Sequence, residues 1–266
     1  MVTATAVMGV VNVTPDSFFP ASRTALADEA VARGRAHFAA GCDIVDVGGE
    51  STRPGAQSVD VDEEIARVVP VVKQLALIGP VSIDTQKEAV ARAAVSVGAQ
   101  VINDVSCTLL EVAAELSVGY VAMHRQGDSA TMQLNPTYDD VVAEVETFLR
   151  TVAERARSLG VSPLWLDPGI GFGKSVEHNL ALLGHVERFV ALAGEFGAGV
   201  LIGTSRKRFL GQLGAEPLEV DERLEGSIGT EAWAMLEGVS MVRVHDAAAA
   251  VQLRELLVRP VEEVVA

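Results

Sequence analysis

Short runs of β-branched and other apolar residues recur along the chain, and each is followed by a longer stretch in which apolar positions repeat every three or four residues. The short runs predict strands at 6–13, 43–47, 80–83, 100–103, 119–123, 164–166, 199–202 and 241–244. The clearest helical stretch carries Tyr138, Val141, Val142, Val145, Phe148, Leu149 and Val152 on one face. Further helices are expected over 26–40, 63–77, 87–97, 178–192, 223–237 and 247–257. Strands apolar on both faces and separated by helices specify a parallel sheet covered on both sides, and eight such units close into a (β/α)8 TIM barrel. An open doubly wound sheet is the competing arrangement. No linker, low-complexity stretch or charge block interrupts the rhythm, so one α/β domain spanning 1–266 is expected.

Composition narrows the partners. The chain has 266 residues, enough for one barrel, and a net charge of −15, which repels a polyphosphate backbone; nucleic acid is an unsuitable partner. No uncharged apolar run approaches the length of a membrane span, and the opening residues lack the basic region of a secretory signal, so a cytoplasmic location is expected. Cys42 and Cys107 share no metal-ligand spacing and are too few for a disulfide framework; both are expected as buried thiols.

Nearly every predicted strand runs into a polar group: Asn12 and Asp16, Asp46 with the 50–55 loop, Asp84, Asn103 and Asp104, His124, Asp167, the 205–207 stretch, then Arg243, His245 and Asp246. In a barrel these ends converge on one face, where barrel enzymes keep their active sites. Any one Asp, Asn or Ser could simply cap the next helix. Capping does not account for Arg243 and His245, which strand alternation puts on one face, nor for Arg53 and Lys207 near carboxylates. Cations gathered at one face of so acidic a chain point to an anionic ligand.

Two apparent nucleotide motifs fail. Gly173-Lys174-Ser175 resembles the end of a P-loop, but position 168 is Pro where that pattern needs Gly. Gly169, Gly171 and Gly173 do not have the dinucleotide spacing either. Such a loop can bring backbone close to a flat ligand, with Phe172 as its aromatic face, or can be a plain strand-to-helix turn. His37, His178 and His185 read as surface or partly packed, Trp165 and Trp233 as structural, and Met123 as packing or ligand contact.

The stretches NVTPDSF (12–18), GGESTRPG (48–55), SIDT (82–85), INDVS (102–106), DPGIGFGK (167–174), SRK (205–207) and RVHD (243–246) resemble, in order, the motifs of bacterial dihydropteroate synthases, which belong to the pterin-binding barrel family. The resemblance implies a transferase of folate biosynthesis that condenses 6-hydroxymethyl-7,8-dihydropterin pyrophosphate with p-aminobenzoate, with Mg²⁺, in a homodimer that sulfonamides target. It implies pterin recognition by Asp84, Asn103, Met123, Asp167 and Lys207, and pyrophosphate recognition by Asn12, Arg53, Arg243 and His245, with Asn12 as the Mg²⁺ ligand. It places p-aminobenzoate against Thr52, Arg53, Pro54 and Phe172, its carboxylate near Lys207 and the amide of Arg208, at the start of an expected helix. The resemblance also implies catalytic roles for Asp16, Arg53 and Lys207. Two positions depart from the family pattern: Pro20 stands where a loop Asp is usual, and Cys107 where Gly is usual. A methyltetrahydrofolate:corrinoid methyltransferase and a non-catalytic pterin-binding paralogue are the alternative readings.

Overall fold

The computed structural model describes residues 5–14, 23–51, 58–127 and 131–258. Eight parallel strands, β1 (Ala6–Asn12), β2 (Ile44–Gly48), β3 (Val81–Asp84), β4 (Val101–Asp104), β5 (Gly119–Met123), β6 (Leu164–Asp167), β7 (Gly199–Ile202) and β8 (Met241–Val244), close in sequential order, β8 pairing back onto β1. The helices are α1 (Arg23–Ala39), α2 (Val61–Leu75), α3 (Glu88–Ser96), α4 (Leu110–Leu116), α5 (Val141–Leu159), α6 (Val176–Leu183), α7 (Val186–Glu195), α8 (Leu224–Leu236) and α9 (Ala247–Val258). The closed sheet excludes the doubly wound alternative.

Strand alternation divides the molecule into two cores. Side chains pointing outward from the strands meet the helices in one continuous layer, with Val45, Val47, Ile83, Ile102, Leu166 and Ile202 against Val68, Val72, Leu149, Phe189 and Ala234. The other parity points inward. Met8, Ile44, Val101, Val121, Leu201 and Met241 fill the lower interior, with Trp165 packed beside them. Two residues further along the same strands, the inward positions become Asp46, Asn103, Met123, Asp167 and Arg243. The plug below is apolar and the layer above it is polar, so the site has a floor.

Local chemistry sets the element ends. Asp60 caps α2 through the amide of Asp62, with Asp62, Glu63 and Glu64 in the first turn and Lys73 in the last, matching the helix dipole. Asp140 caps α5 through the amides of Val142 and Ala143.

Several expectations are corrected. The single helix expected over 178–192 is two, because Gly184 and His185 interrupt it between α6 and α7. Helix α4 had no predicted counterpart. His37 is buried, its Nε2 3.0 Å from the carbonyl oxygen of Val10. Trp233 is half exposed. Cys42 is buried as expected, whereas Cys107 is half-buried.

Candidate active site

The carboxyl ends of the strands assemble a polar layer around Arg243. This residue lies in β8, one position before the strand ends, and its side chain crosses the barrel interior. Its Nε donates to Asp46 Oδ2 at 2.6 Å and its Nη2 to Asp84 Oδ2 at 2.7 Å. Asn103, opposite Asp84 in the β3–β4 register, donates from Nδ2 to the same Asp46 oxygen at 3.0 Å. Asp46 is fully buried and organises this group, although the sequence had given it no binding role. The available signal was an Asp in the middle of a strand buried at every position. Asp46 Oδ1 and Ser82 Oγ are buried without a hydrogen-bond partner, the kind of group that a polar ligand satisfies. Burial pushes the Asp84 carboxyl above its usual range, against the pull of Arg243.

Across the mouth, Asp167 ends β6 beside Met123 of β5. Its Oδ1 accepts the amide of Gly169 at 2.7 Å, and burial raises its pKa against the nearby Lys207. Lys207 follows β7 through a turn closed by its amide on Thr204 O at 3.1 Å. Its ammonium donates to Ile170 O and sits 4.7 Å from the centre of the Phe172 ring. Burial lowers its pKa to about 8. Asp84, Asn103, Met123, Asp167, Phe172, Lys207 and Arg243, each expected in the site, thus share one barrel mouth.

The glycine loop after β6 is drawn tightly against the end of β5. A side chain at Gly169 (φ 70°) would meet His124 O at 1.8 Å, and one at Gly173 (φ 64°) would meet Gln126 O at 2.2 Å. Lys174 lies beneath, with Nζ 3.0 Å from His124 Nδ1, 3.0 Å from Phe172 O and 3.4 Å from His124 O. Burial lowers its pKa to about 7, and burial together with this ammonium takes His124 down to about 3, so the imidazole is neutral and can accept.

Other positions fall at the rim or outside the described residues. Asn12 is exposed at the end of β1. Strand β8 stops at Val244, so His245 lies just beyond it, its amide donating to Ser205 Oγ at 3.1 Å. The guanidinium of Arg243 is committed to two carboxylates rather than standing alone at the rim. Arg208 opens a five-residue 3₁₀ turn, Arg208–Gln212, not the expected helix, so no helix dipole reinforces its amide as an anion site. Asp16, Thr52, Arg53, Pro54 and Pro20 lie outside the described residues. Among the described residues, no group of three His, Cys, Asp or Glu side chains could hold a metal.

The pterin binding enzyme family model matches residues 8–245. Dihydropteroate synthase of Escherichia coli (strain K12) is 43% identical over 250 residues, covering 90% of this chain and 86% of that protein. Among solved structures, Xanthomonas albilineans dihydropteroate synthase with 4-aminobenzoic acid superimposes with a TM-score of 0.86 at 41% identity, covering 100% of this chain and 94% of that one. Yersinia pestis dihydropteroate synthase in complex with a sulfonamide drug gives 0.86 at 36% identity, over 99% and 95% of the two chains. A closed parallel barrel with buried Asp84, Asn103 and Asp167 converging at its mouth, together with this likeness over nearly the whole length, places the chain in the pterin-binding enzyme family, among the dihydropteroate synthases.

Proposed function

We infer that the molecule condenses 6-hydroxymethyl-7,8-dihydropterin pyrophosphate with p-aminobenzoate, giving 7,8-dihydropteroate and pyrophosphate. The observation that carries this reading is the convergence of Asp84, Asn103, Asp167 and Lys207 above an apolar floor. A pterin edge alternates donors and acceptors, and buried carboxylate, amide and ammonium groups complement it; an analogue lacking those groups leaves them unpaired at a cost of about 1–3 kcal/mol each.

In the reaction the bond between the pterin methylene carbon and the ester oxygen breaks first, and pyrophosphate departs with the electron pair. The resulting methylene cation is stabilised by the carboxylate-rich layer of Asp46, Asp84 and Asp167. The arylamine nitrogen then bonds to the methylene and releases a proton to solvent. No protein nucleophile is required. Phe172 offers a face to the p-aminobenzoate ring and Lys207 a charge to its carboxylate, with Arg208 adjacent; Thr52 and Pro54 are assigned to the same substrate. Asn12, Arg53, Arg243 and His245 are assigned to the pyrophosphate, and Asp16 to the catalytic loop.

Mg²⁺ is part of this reading. The described side chains form no cage for it, and the amide oxygen of Asn12 at the exposed end of β1 suits a hard cation whose remaining ligands are water and substrate oxygens. Held by Asn12, such an ion would supply positive charge to the leaving group. The assembly proposed is a homodimer, for which the exposed Trp233 and Leu236 of α8 offer apolar surface, Trp233 Nε1 donating to Leu183 O of α6 at 3.0 Å. Sulfonamides are expected to compete with p-aminobenzoate. A cytoplasmic location suits the two free thiols, and no described helix is long and apolar enough to cross a membrane.

The test is pyrophosphate release by the purified chain with pterin pyrophosphate and Mg²⁺, with and without p-aminobenzoate. Release that requires the arylamine supports the synthase. Calorimetric binding of pterin pyrophosphate with no release overturns it in favour of a non-catalytic pterin binder.

A further inference from the structure

The glycine loop is held by an arrangement that its own sequence does not contain. From Ile170 to Gly173, four successive backbone carbonyls each accept a hydrogen bond from a different side chain. Lys207 Nζ reaches Ile170 O, Gln133 Nε2 reaches Gly171 O at 2.6 Å, Lys174 Nζ reaches Phe172 O at 3.0 Å, and the Tyr138 hydroxyl reaches Gly173 O at 2.8 Å. Gly169, Gly171 and Gly173 all have positive φ, so the segment makes no regular ladder and its carbonyls need side-chain donors.

Two of the four donors come from the connection between β5 and α5, 35 and 38 residues distant in sequence. Gln133 and Tyr138 are both half-buried, and Gln133 is followed by Leu134, which is 80% exposed. Neither side chain is in the pterin layer around Arg243. Each instead holds a carbonyl immediately beside Phe172, whose ring carries the Lys207 ammonium on its face.

We propose that Gln133 and Tyr138 are positioning residues for the arylamine half of the site: by fixing the Gly171 and Gly173 carbonyls they hold the Phe172 ring in the geometry that accepts p-aminobenzoate. The inference rests on the synthase reading above and adds two residues from a different connection to that reading. Freed of these bonds, the loop keeps the Gly169 amide on Asp167, and the pterin layer keeps its own hydrogen bonds, so the two substrates respond differently.

The experiment is steady-state kinetics of Gln133→Leu, Tyr138→Phe and the double variant, with pterin pyrophosphate affinity measured separately by calorimetry. Loss of one such bond at an adjustable loop is expected to raise KM for p-aminobenzoate about tenfold, and the double variant further, with pterin pyrophosphate affinity within about twofold of the wild type. Gln133→Glu, which replaces the donor by an acceptor facing a carbonyl, should be worse than Gln133→Leu. Equal weakening of both substrates, as general loosening of the fold would give, overturns the proposal; so does an arylamine KM within about twofold of the wild type in the double variant. Wild-type turnover is the control: its absence defeats the synthase reading, whereas a turning-over wild type with unaffected variants defeats only this inference.

Discussion

Asp46 offers a direct test of how the polar layer is held together. Its Oδ2 accepts from Arg243 Nε at 2.6 Å and from Asn103 Nδ2 at 3.0 Å, in a residue with no solvent exposure. Asp46→Ala leaves both donors facing a small apolar void. Removing one partner of a buried ion pair costs about 3–5 kcal/mol, since the other charge stays buried without it. In a chain of this size each kcal/mol moves the thermal midpoint by about 2–4 °C, so a fall of roughly 6–20 °C is expected. Asp46→Asn behaves differently. Its carbonyl oxygen can occupy the Oδ2 position and keep both donors, so only the charge assistance is lost, about 1–2 kcal/mol in all. Arg243 then faces the Asp84 carboxylate alone, and Asp84, relieved of one neighbouring negative charge, should titrate lower than in the wild type. Calorimetric unfolding of the three proteins at pH 7.5 separates the cases. An alanine cost below about 1 kcal/mol, or an asparagine cost equal to it, would refute the assignment of Asp46 as the acceptor that organises Arg243.

Lys174 should make stability pH-dependent. Its folded pKa is lowered to about 7 by burial, whereas in the unfolded chain it stays near 10.4, so above pH 7 the unfolded state binds the extra proton and stability rises with pH by up to about 1.4 kcal/mol per unit. The wild type should therefore gain on Lys174→Met between pH 7.5 and 9.5 in chemical denaturation, and a pH-independent difference would contradict the burial argument. Lys207→Ala should abolish recognition of both substrates, lowering kcat/KM at least about a hundredfold, without lowering the thermal midpoint, because the removed ammonium is costly to bury. Near-normal turnover would sink its role. Cys107 occupies a left-handed conformation, φ 58°, so Cys107→Gly should be more stable than Cys107→Ala by about 1 kcal/mol, the reverse of the usual order. Equal midpoints would show that the turn relaxes.

The eight strands were legible because helices outside and side chains inside cover both faces, leaving continuous β-branched runs with no helical period to confuse them. Two of the errors at their ends share a cause. Strands β3 and β6 extend to Asp84 and Asp167, one residue past the predicted stops, because an inward-facing site residue is still part of the ladder although its polarity reads as loop. Helix α4 was illegible at seven residues, too few for a period to show. What places it is Asp104, whose Oδ2 accepts the amides of Thr108 and Leu109, a cap made from the preceding strand end. The motif residues of the mouth were readable as a set. The supports of the glycine loop were not, since bonds from Gln133 and Tyr138 to carbonyls more than thirty residues away leave no local pattern.

The charges at the mouth also explain why one lysine can serve two substrates. Arg243 is held by Asp46 and Asp84, and Arg206 by both oxygens of Asp246 and by Asp221, so neither guanidinium can meet a new anion without giving up an existing partner. Lys174 is only 3% exposed and donates to neutral acceptors beneath the loop. Lys207 differs from all three. Its direct contacts are a carbonyl and an aromatic face, and no described carboxylate lies within ion-pair distance, while Asp167 acts on it from further off. A cation held by neutral partners in a half-buried position keeps most of its capacity to bind an anion, and moving it costs one carbonyl bond rather than a salt bridge. With its pKa lowered to about 8, Lys207 is still largely charged at neutral pH, and a bound carboxylate would raise that value and strengthen the interaction. Arg243 thus meets the pyrophosphate only by exchanging a carboxylate partner, whereas the adaptable charge sits at the boundary between the pterin layer and the Phe172 face, where the two reactants must meet.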